Sequence, residues 1–379
     1  MNSGAPVKVM HIIARMNVGG PAILVADLMR NLDPSKFETK LVTGYCDDTE
    51  SDYLDEVATD IRSTRIPGFG RSLSVYKDLK AFFLLILEIR RFRPDVIHTH
   101  TAKAGVLGRL AGLFARPKTK RIHTFHGHLL RGYFGQRKVR LIVLLEKLLG
   151  LITHKYVAIG THVKNDLVKA GVGSGEKYEV IYPGLQELDL YSSTEARNTL
   201  GLEAEKSYVV FIGRLTQIKR PDRLMDLARS LKVENPSAHL LIAGAGELLD
   251  DLKEISEKES LPVTFLGWRN DIGMILSASN IAVLCSDNEG IPLTLIQASQ
   301  AGLPIVSTNV GSVSDIVIDG VSGLLTEVTS EALITGVFSL LQDHALGEWL
   351  GKSGQKRARR LFSSDAMIKH HEDMYSQLL

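Results

Sequence analysis

The sequence predicts an α/β protein made of two doubly wound parallel-sheet domains in tandem. Three observations lead there. Short apolar runs of strand length alternate with longer amphipathic helical runs, the pattern of parallel sheets covered by helices on both faces. The alternation comes as two successive sets. Between them, at YPGLQELDLYSSTEA (182–196), Pro183 and Gly184 break the rhythm and a polar linker follows. A chain of 379 residues is also long for one core. The division is therefore placed at 1–185 and 186–379, with the last helix at liberty to pack back on the first domain.

In the first set the strand candidates are VKVMHII (7–13), FETKLVT (37–43), DIRSTRI (60–66), DVIHT (95–99), KRIHTF (120–125), KYVAI (155–159) and YEVIY (178–182). Helical runs such as 21–32 and 71–92 lie between them. The second set repeats the scheme with SYVVFIG (207–213), HLLIAG (239–244), VTFLG (263–267), NIAVLC (280–285), PIVST (304–308) and GLLTE (323–327). Helical signals then run from 330 nearly to the end, and no solenoid repeat is present.

Composition narrows the function classes. With 44% apolar and 23% charged residues the chain reads as an ordinary soluble globular protein, and 6% aromatics argue against a base-stacking platform. The strongest apolar run, AFFLLILEI (81–89), is about half what a bilayer span needs. The opening MNSGAPVKVMHII passes straight into a strand pattern with no signal-peptide layout, and Cys46 and Cys285 form no pair motif. A reducing, cytoplasmic setting is expected. Residues 1–185 hold 28 Lys/Arg against 17 Asp/Glu, a net of +11, whereas 186–379 hold 17 against 26, a net of −9. A basic half fits a phosphate-bearing acceptor or an acidic membrane face; attraction between the halves accounts for it equally well. The helical runs at 71–93 and 137–151 mix Arg/Lys with apolar stretches. They suit peripheral contact with an anionic membrane, and equally the sheet-covering role of helices with basic outer faces.

In open parallel sheets ligands collect at the carboxyl ends of strands, and that rule selects the loops to read. NVGGP (17–21) follows the first strand, where Gly19 and Gly20 let backbone approach a ligand or simply make a tight turn. The Rossmann dinucleotide fingerprint is missing, and GAG (244–246) is only a two-glycine fragment. His98, His100, His123, His126 and His128 gather at two neighbouring strand ends. With no cysteine or acid in the pattern, a cleft wall for sugar hydroxyls is preferred to a metal site, and His98 and His123 also read as satisfied core residues. GRLTQIKRPD (213–222) sets Arg214 and Lys219 on a turn from Gly213 into a helix, a pyrophosphate cradle or plain solvated cations. In SDNEGIPLTLIQASQAGLPIV (286–306), Glu289 precedes Gly290, Ile291 and Pro292 at a helix start, placed to hold hydroxyls or to cap that helix. Gln297 follows eight residues later.

Taken in order, these segments resemble the retaining glycosyltransferases of family 4, whose GT-B architecture sets two Rossmann-like domains about a central cleft. The likeness runs from MHIIARMNVGGPA through DVIHTHTAKAGVLGRLAG, HTFHGHLLRGYF, FIGRLTQIKRPDRLMDLA, LGWRND and EGIPLTLIQASQAGLPIV to GSVSDIVIDGVSGLL. HTHTAKAG and TFHGH look like enzymes that build bacterial surface polysaccharides. The resemblance implies catalytic roles for His126 near the transferred sugar, for Arg214 and Lys219 on the diphosphate, and for Glu289 on sugar hydroxyls. It further implies donor contacts from Gly19, Gly20, Gly213 and the Gly290–Ile291–Pro292–Leu293 stretch, with Trp268 and Arg269 where the nucleobase is gripped.

The expected activity is transfer from a nucleotide-diphosphate sugar to a glycan or lipid-linked hydroxyl, with retention and without a metal or other cofactor. UDP is the family's commonest carrier; no nucleic-acid partner is expected. One departure stands out: Gln297 occupies the place of the second acid in the family's Glu-seven-residues-Glu motif, which meets the ribose. A sugar-nucleotide 2-epimerase and a non-catalytic nucleotide-sugar binder are the alternatives.

Overall fold

The computed structural model describes residues 5–48, 50–72, 74–127 and 135–379. The chain forms two compact units, one of residues 1–184 together with 364–379, the other of residues 185–363. The closing segment 364–379 belongs to the first unit, the packing-back of the last helix that the sequence division at 185/186 had left open. Its helix, Ser364–Leu378, carries Met367, Ile368, Met374 and Tyr375 on one stripe, and these are buried with Val9, Leu28 and Val96 of the first sheet. Asp27 accepts from the Ser364 hydroxyl, and Glu372 accepts from the Asp33 amide at 2.9 Å.

The first sheet contains β1 (Val7–Ile13), β2 (Phe37–Thr43), β3 (Ser63–Arg65), β4 (Val96–His100), β5 (Lys120–Phe125), β6 (Lys155–Ala158) and β7 (Tyr178–Val180). Their order is β3-β2-β1-β4-β5-β6-β7, and all pairings are parallel. The second contains β8 (Ser207–Ile212), β9 (Ala238–Ala243), β10 (Val263–Gly267), β11 (Ile281–Leu284), β12 (Ile305–Thr308) and β13 (Leu324–Thr326), ordered β10-β9-β8-β11-β12-β13 and again all parallel. The central strands are buried and mostly apolar because helices cover both faces, with His11, His98, His100 and His123 as buried polar exceptions in the first sheet. On one face of the first sheet Val9 and Val96 meet the helix Gly20–Asn31 through Leu24 and Leu28; on the other, Met10 and Ile97 meet Leu85 and Ile89 of the helix Val75–Phe92.

Each sheet reverses its winding once, between β1 and β4 and between β8 and β11. At such a switch point the connections leave in opposite directions and open a crevice at the strands' carboxyl ends. Two crevices are therefore fixed by topology. Among the described residues no helix is long and apolar enough to cross a membrane.

Candidate active site

The loops at the β8/β11 switch point are joined by a dense set of contacts. After β8, Gly213 opens a loop that closes with a short 3-10 turn, Gln217–Lys219, and Arg220 in the left-handed region (φ 52°). After β11, the chain passes through Cys285 and Ser286 to Glu289 and enters the helix Leu293–Gln300. Across these loops Lys219 Nζ donates to Glu289 Oε1 at 2.5 Å, and Ser286 Oγ donates to the same oxygen at 2.6 Å. Glu289 is buried, with 8% exposure, so its charge needs that cation. The two residues lie seventy positions apart in sequence and meet because β8 and β11 are neighbours.

Residues that sequence reasoning missed hold this arrangement. Arg223 donates to the Cys285 carbonyl at 2.6 Å and pairs with Asp287 at 2.8 Å. Cys285 Sγ donates to the Lys219 and Arg220 carbonyls at 3.2 Å, and burial pushes its thiol up to about 12, so it braces the loop as a neutral group. Two glycines are obligatory here. A Cβ on Gly311 (φ 54°) would lie 1.8 Å from the Glu289 carbonyl, and one on Gly244 (φ 151°) would lie 1.9 Å from the Gly213 carbonyl. The GAG fragment is thereby explained as close packing of loop on loop.

The other expected residues of this unit are spread more widely. Arg214 is exposed and has no ion pair among the described residues. The amides of Gly290, Ile291 and Leu293 have no hydrogen-bond partner among the described residues, as expected of a helix start, with Pro292 at the cap. Gln297 sits half-buried within that helix, and its side chain makes no hydrogen bond among the described residues. Trp268 is 68% exposed just beyond β10, and neighbouring Arg269 is bound to Asp271, whose carboxyl it holds below the usual range.

At the β1/β4 switch point the chemistry is different. Gly19 caps the helix Gly20–Asn31, and a Cβ on it would meet only the Asn17 carbonyl at 3.9 Å, so the fold leaves room there. His100 closes β4 and His126 follows β5. His126 Nε2 lies 3.0 Å from His100 Nδ1, and His100 Nε2 lies 3.2 Å from His11 Nδ1 on β1. His98 is satisfied at both nitrogens, by Tyr375 (2.7 Å) and Thr124 (2.6 Å), and His123 bonds Thr99 at 2.9 Å. Burial lowers all of these rings, His11 and His126 to about 3, so they are neutral at ordinary pH. His128 lies outside the described residues. Thr101, directly after His100, is a β-branched residue at φ 69°, ψ 156°, a conformation costing about 1–3 kcal/mol and typical of functional loops.

Nitrogen atoms of His11, His98 and His100 lie within 4.8 Å of one another, near enough to converge on an ion. The donor set fits an ion poorly, because both His98 nitrogens serve hydroxyls and His11 and His100 serve each other.

Comparison with known proteins gives two family matches, "Glycosyltransferase Family 4" over residues 18–187 and "Glycosyl transferases group 1" over residues 192–357. Among curated relatives, the UDP-Gal:alpha-D-GlcNAc-diphosphoundecaprenol alpha-1,3-galactosyltransferase of Escherichia coli is 27% identical, covering 98% of this chain and 97% of that protein. The capsular polysaccharide biosynthesis glycosyltransferase CapM of Staphylococcus aureus is 23% identical over 82% of this chain and 83% of its own. Among solved structures, Anabaena HepE in complex with UDP superposes with a TM-score of 0.83 at 20% identity, covering 98% of this chain and all of that one. Sucrose-phosphate synthase from Thermosynechococcus elongatus gives 0.82 at 21% identity over 98% and 99%.

Proposed function

Since the chain belongs to the group 1 and family 4 glycosyltransferases, with their GT-B fold, we propose that it moves a sugar, with retention, from a UDP-sugar to a hydroxyl on a lipid-linked or polysaccharide intermediate. The observation that carries this reading is the convergence of Lys219 and Glu289 at the β8/β11 switch point. The UDP complexes of HepE and the UDP-Gal donor and diphosphoundecaprenol acceptor in the name of the E. coli relative support the choice of donor and acceptor class.

In this reading Glu289 has two duties. It holds Lys219 in place before the donor arrives, and it accepts hydrogen bonds from hydroxyls of the transferred sugar. Arg214 is the cation left free to meet the diphosphate. As the nucleoside diphosphate departs, Arg214 and Lys219 offset its developing charge, a contribution of several kcal/mol, about 3–4 for one well-placed donor. The acceptor hydroxyl attacks the face the diphosphate leaves and passes its proton to the departing phosphate oxygen. Gly213 and the free amides of Gly290, Ile291 and Leu293 contact the donor's phosphate and sugar, and Trp268 and Arg269 flank the base. No metal ion is required, because two cations and a helix start supply the positive field.

The test is direct. Lys219→Ala and Glu289→Ala should each lower turnover at least about a hundredfold, with circular dichroism unchanged. Near-normal turnover in either variant removes the assigned roles. Product formed from donor alone, followed by NMR, would instead identify an epimerase; tight donor binding without transfer would identify a non-catalytic binder.

A second observation favours a membrane-borne acceptor. The helix Gln136–Gly150 exposes Leu141, Leu144, Leu145 and Leu148, with Leu151 just beyond it, beside Arg137, Arg140 and Lys147. An apolar stripe edged by cations matches an anionic bilayer surface. The protein should float with vesicles containing anionic lipid and not with neutral ones, and Leu144→Glu with Leu148→Glu should abolish flotation. Flotation that ignores both lipid charge and these leucines refutes the docking face.

A further inference from the structure

Glu289 has two carboxylate oxygens, and the surrounding loops use only one of them. Lys219 Nζ and Ser286 Oγ both donate to Oε1, at 2.5 and 2.6 Å, while Oε2 has no hydrogen-bond partner among the described residues. Oε2 is nevertheless not sealed in. Among the described residues of this unit the enclosed side-chain atoms without a partner are Thr216 Oγ1, Gln300 Oε1 and Ser312 Oγ, and Glu289 Oε2 is not one of them. The small exposure left to Glu289 therefore includes this oxygen. An ionised carboxylate oxygen accepts and cannot donate, so it calls for a hydroxyl or N–H.

The two donors on Oε1 differ in how well they fix it. Lys219 ends a flexible four-carbon stem, reaches over from another loop and keeps 19% of its side chain in solvent. Ser286 is fully buried in the same loop as Glu289. Its backbone is tied on both flanks. Thr308, at the end of β12, donates to the Ser286 carbonyl at 2.8 Å, and the Asp287 amide donates to the Ile218 carbonyl at 3.0 Å in the loop after β8. A carboxylate turns readily about its last bond, and its two oxygens are chemically alike. A fixed donor is what makes them different.

We propose that Ser286 is the positioning residue of Glu289: it keeps Oε1 when Lys219 is drawn to the diphosphate, so that Oε2 stays turned toward hydroxyls of the transferred sugar. This rests on the roles given above to Lys219 and Glu289, and deepens them by assigning the two oxygens of one carboxylate to different partners. Ser286 itself touches no substrate. Its effect falls on the sugar and not on the nucleotide, because its hydroxyl serves Glu289 alone among the described residues. Donor affinity thus has two separable sources, one that UDP shares with the UDP-sugar and one that UDP lacks.

The experiment has two arms, and the first uses no ligand. In a crystal structure of Lys219→Ala, Glu289 Oε1 should remain within hydrogen-bond distance of Ser286 Oγ; a carboxylate turned away from Ser286 overturns the proposal. The second arm is titration calorimetry with UDP, UDP-glucose, UDP-galactose and their 2-acetamido counterparts. Ser286→Ala should weaken the tightest-binding of these sugar nucleotides about tenfold, the worth of one hydrogen bond to a charged group, and leave UDP unchanged. Ser286→Thr keeps the hydroxyl and should restore most of that loss. Equal weakening of UDP and the UDP-sugar, no weakening of either, or a Thr variant as impaired as Ala each overturns it. If the wild type binds none of the sugar nucleotides, the UDP-sugar reading falls, and the Lys219→Ala structure alone decides the role of Ser286.

Discussion

The two units share one winding plan and differ in what they place at its reversal. In the first, the switch point is lined by neutral imidazoles that bond to one another and to hydroxyls. In the second it is lined by full charges, Lys219 against Glu289 and Arg220 and Arg223 against Asp287. Parallel sheets supply a crevice and free helix-terminal amides in both cases, so topology alone does not decide what binds. The electrostatic character of the lining does. A neutral, directional wall suits hydroxyl groups, whereas a wall of fixed charges suits a diphosphate. Four tests would sharpen or break this contrast.

Acid should separate the units most strongly. Burial holds His11 and His126 at about 3, His371 at about 4, and His98, His100 and His123 well below the ordinary value. In the unfolded chain these groups take up protons below about pH 6.5. Between pH 6.5 and about 4 the unfolded state therefore binds more protons, and the first unit loses stability as pH falls, by up to about 1.4 kcal/mol per pH unit for each such histidine. In the second unit the paired Asp222 and Glu259 are held below their usual range, so their contribution is lost only on further acidification. Both tryptophans, Trp268 and Trp349, lie in the second unit. At pH 5, hydrogen exchange in β4 and β5 should accelerate while tryptophan fluorescence stays native. Simultaneous loss of both signals would break the contrast.

The next largest effect concerns a pair that runs against the pattern. Arg109 and Glu146 are buried together in the first unit at 2.8 Å, with Arg109 also donating to the Gly105 carbonyl and Thr153. Arg109→Met leaves Glu146 enclosed without a counter-charge and should cost about 3–5 kcal/mol in urea denaturation. The double variant Arg109→Met with Glu146→Leu should recover most of it. Lys219→Ala, by contrast, should cost turnover and less stability than Arg109→Met, because Ser286 still donates to the same Glu289 oxygen and this pair is the less enclosed of the two. A larger stability loss from Lys219→Ala than from Arg109→Met would assign the structural and functional pairs the wrong way round.

The fold was legible in the sequence because burial on both faces turns each central strand into an apolar run; every such run became a strand, with ends shifted by a few residues, as where 60–66 narrowed to Ser63–Arg65. Contacts that depend on strand order were not legible. The Lys219–Glu289 bond, its bracing by Arg223, Cys285 and Ser286, and the line from His11 to His126 all require knowing which strands are neighbours. His11 was passed over altogether, sitting inside an apolar strand with no motif around it. Met367, Ile368, Met374 and Tyr375 marked a buried stripe on the last helix but carried no sign of which sheet they would cover.

The smallest expected effect is the most informative about the second crevice. Gln297 is half-buried on the helix that follows Glu289, with its amide unengaged among the described residues. In the proposed function it faces the donor's ribose. An ionised acceptor strengthens such a bond by about 1–2 kcal/mol over a neutral one. Gln297→Glu should therefore tighten nucleotide binding by up to about tenfold in titration calorimetry, with thermal stability unchanged. Weaker binding would mean that the amide N–H is itself in use. The second crevice would then combine fixed charge at the diphosphate with neutral donors at the ribose, and the difference between the units would hold for its phosphate end alone.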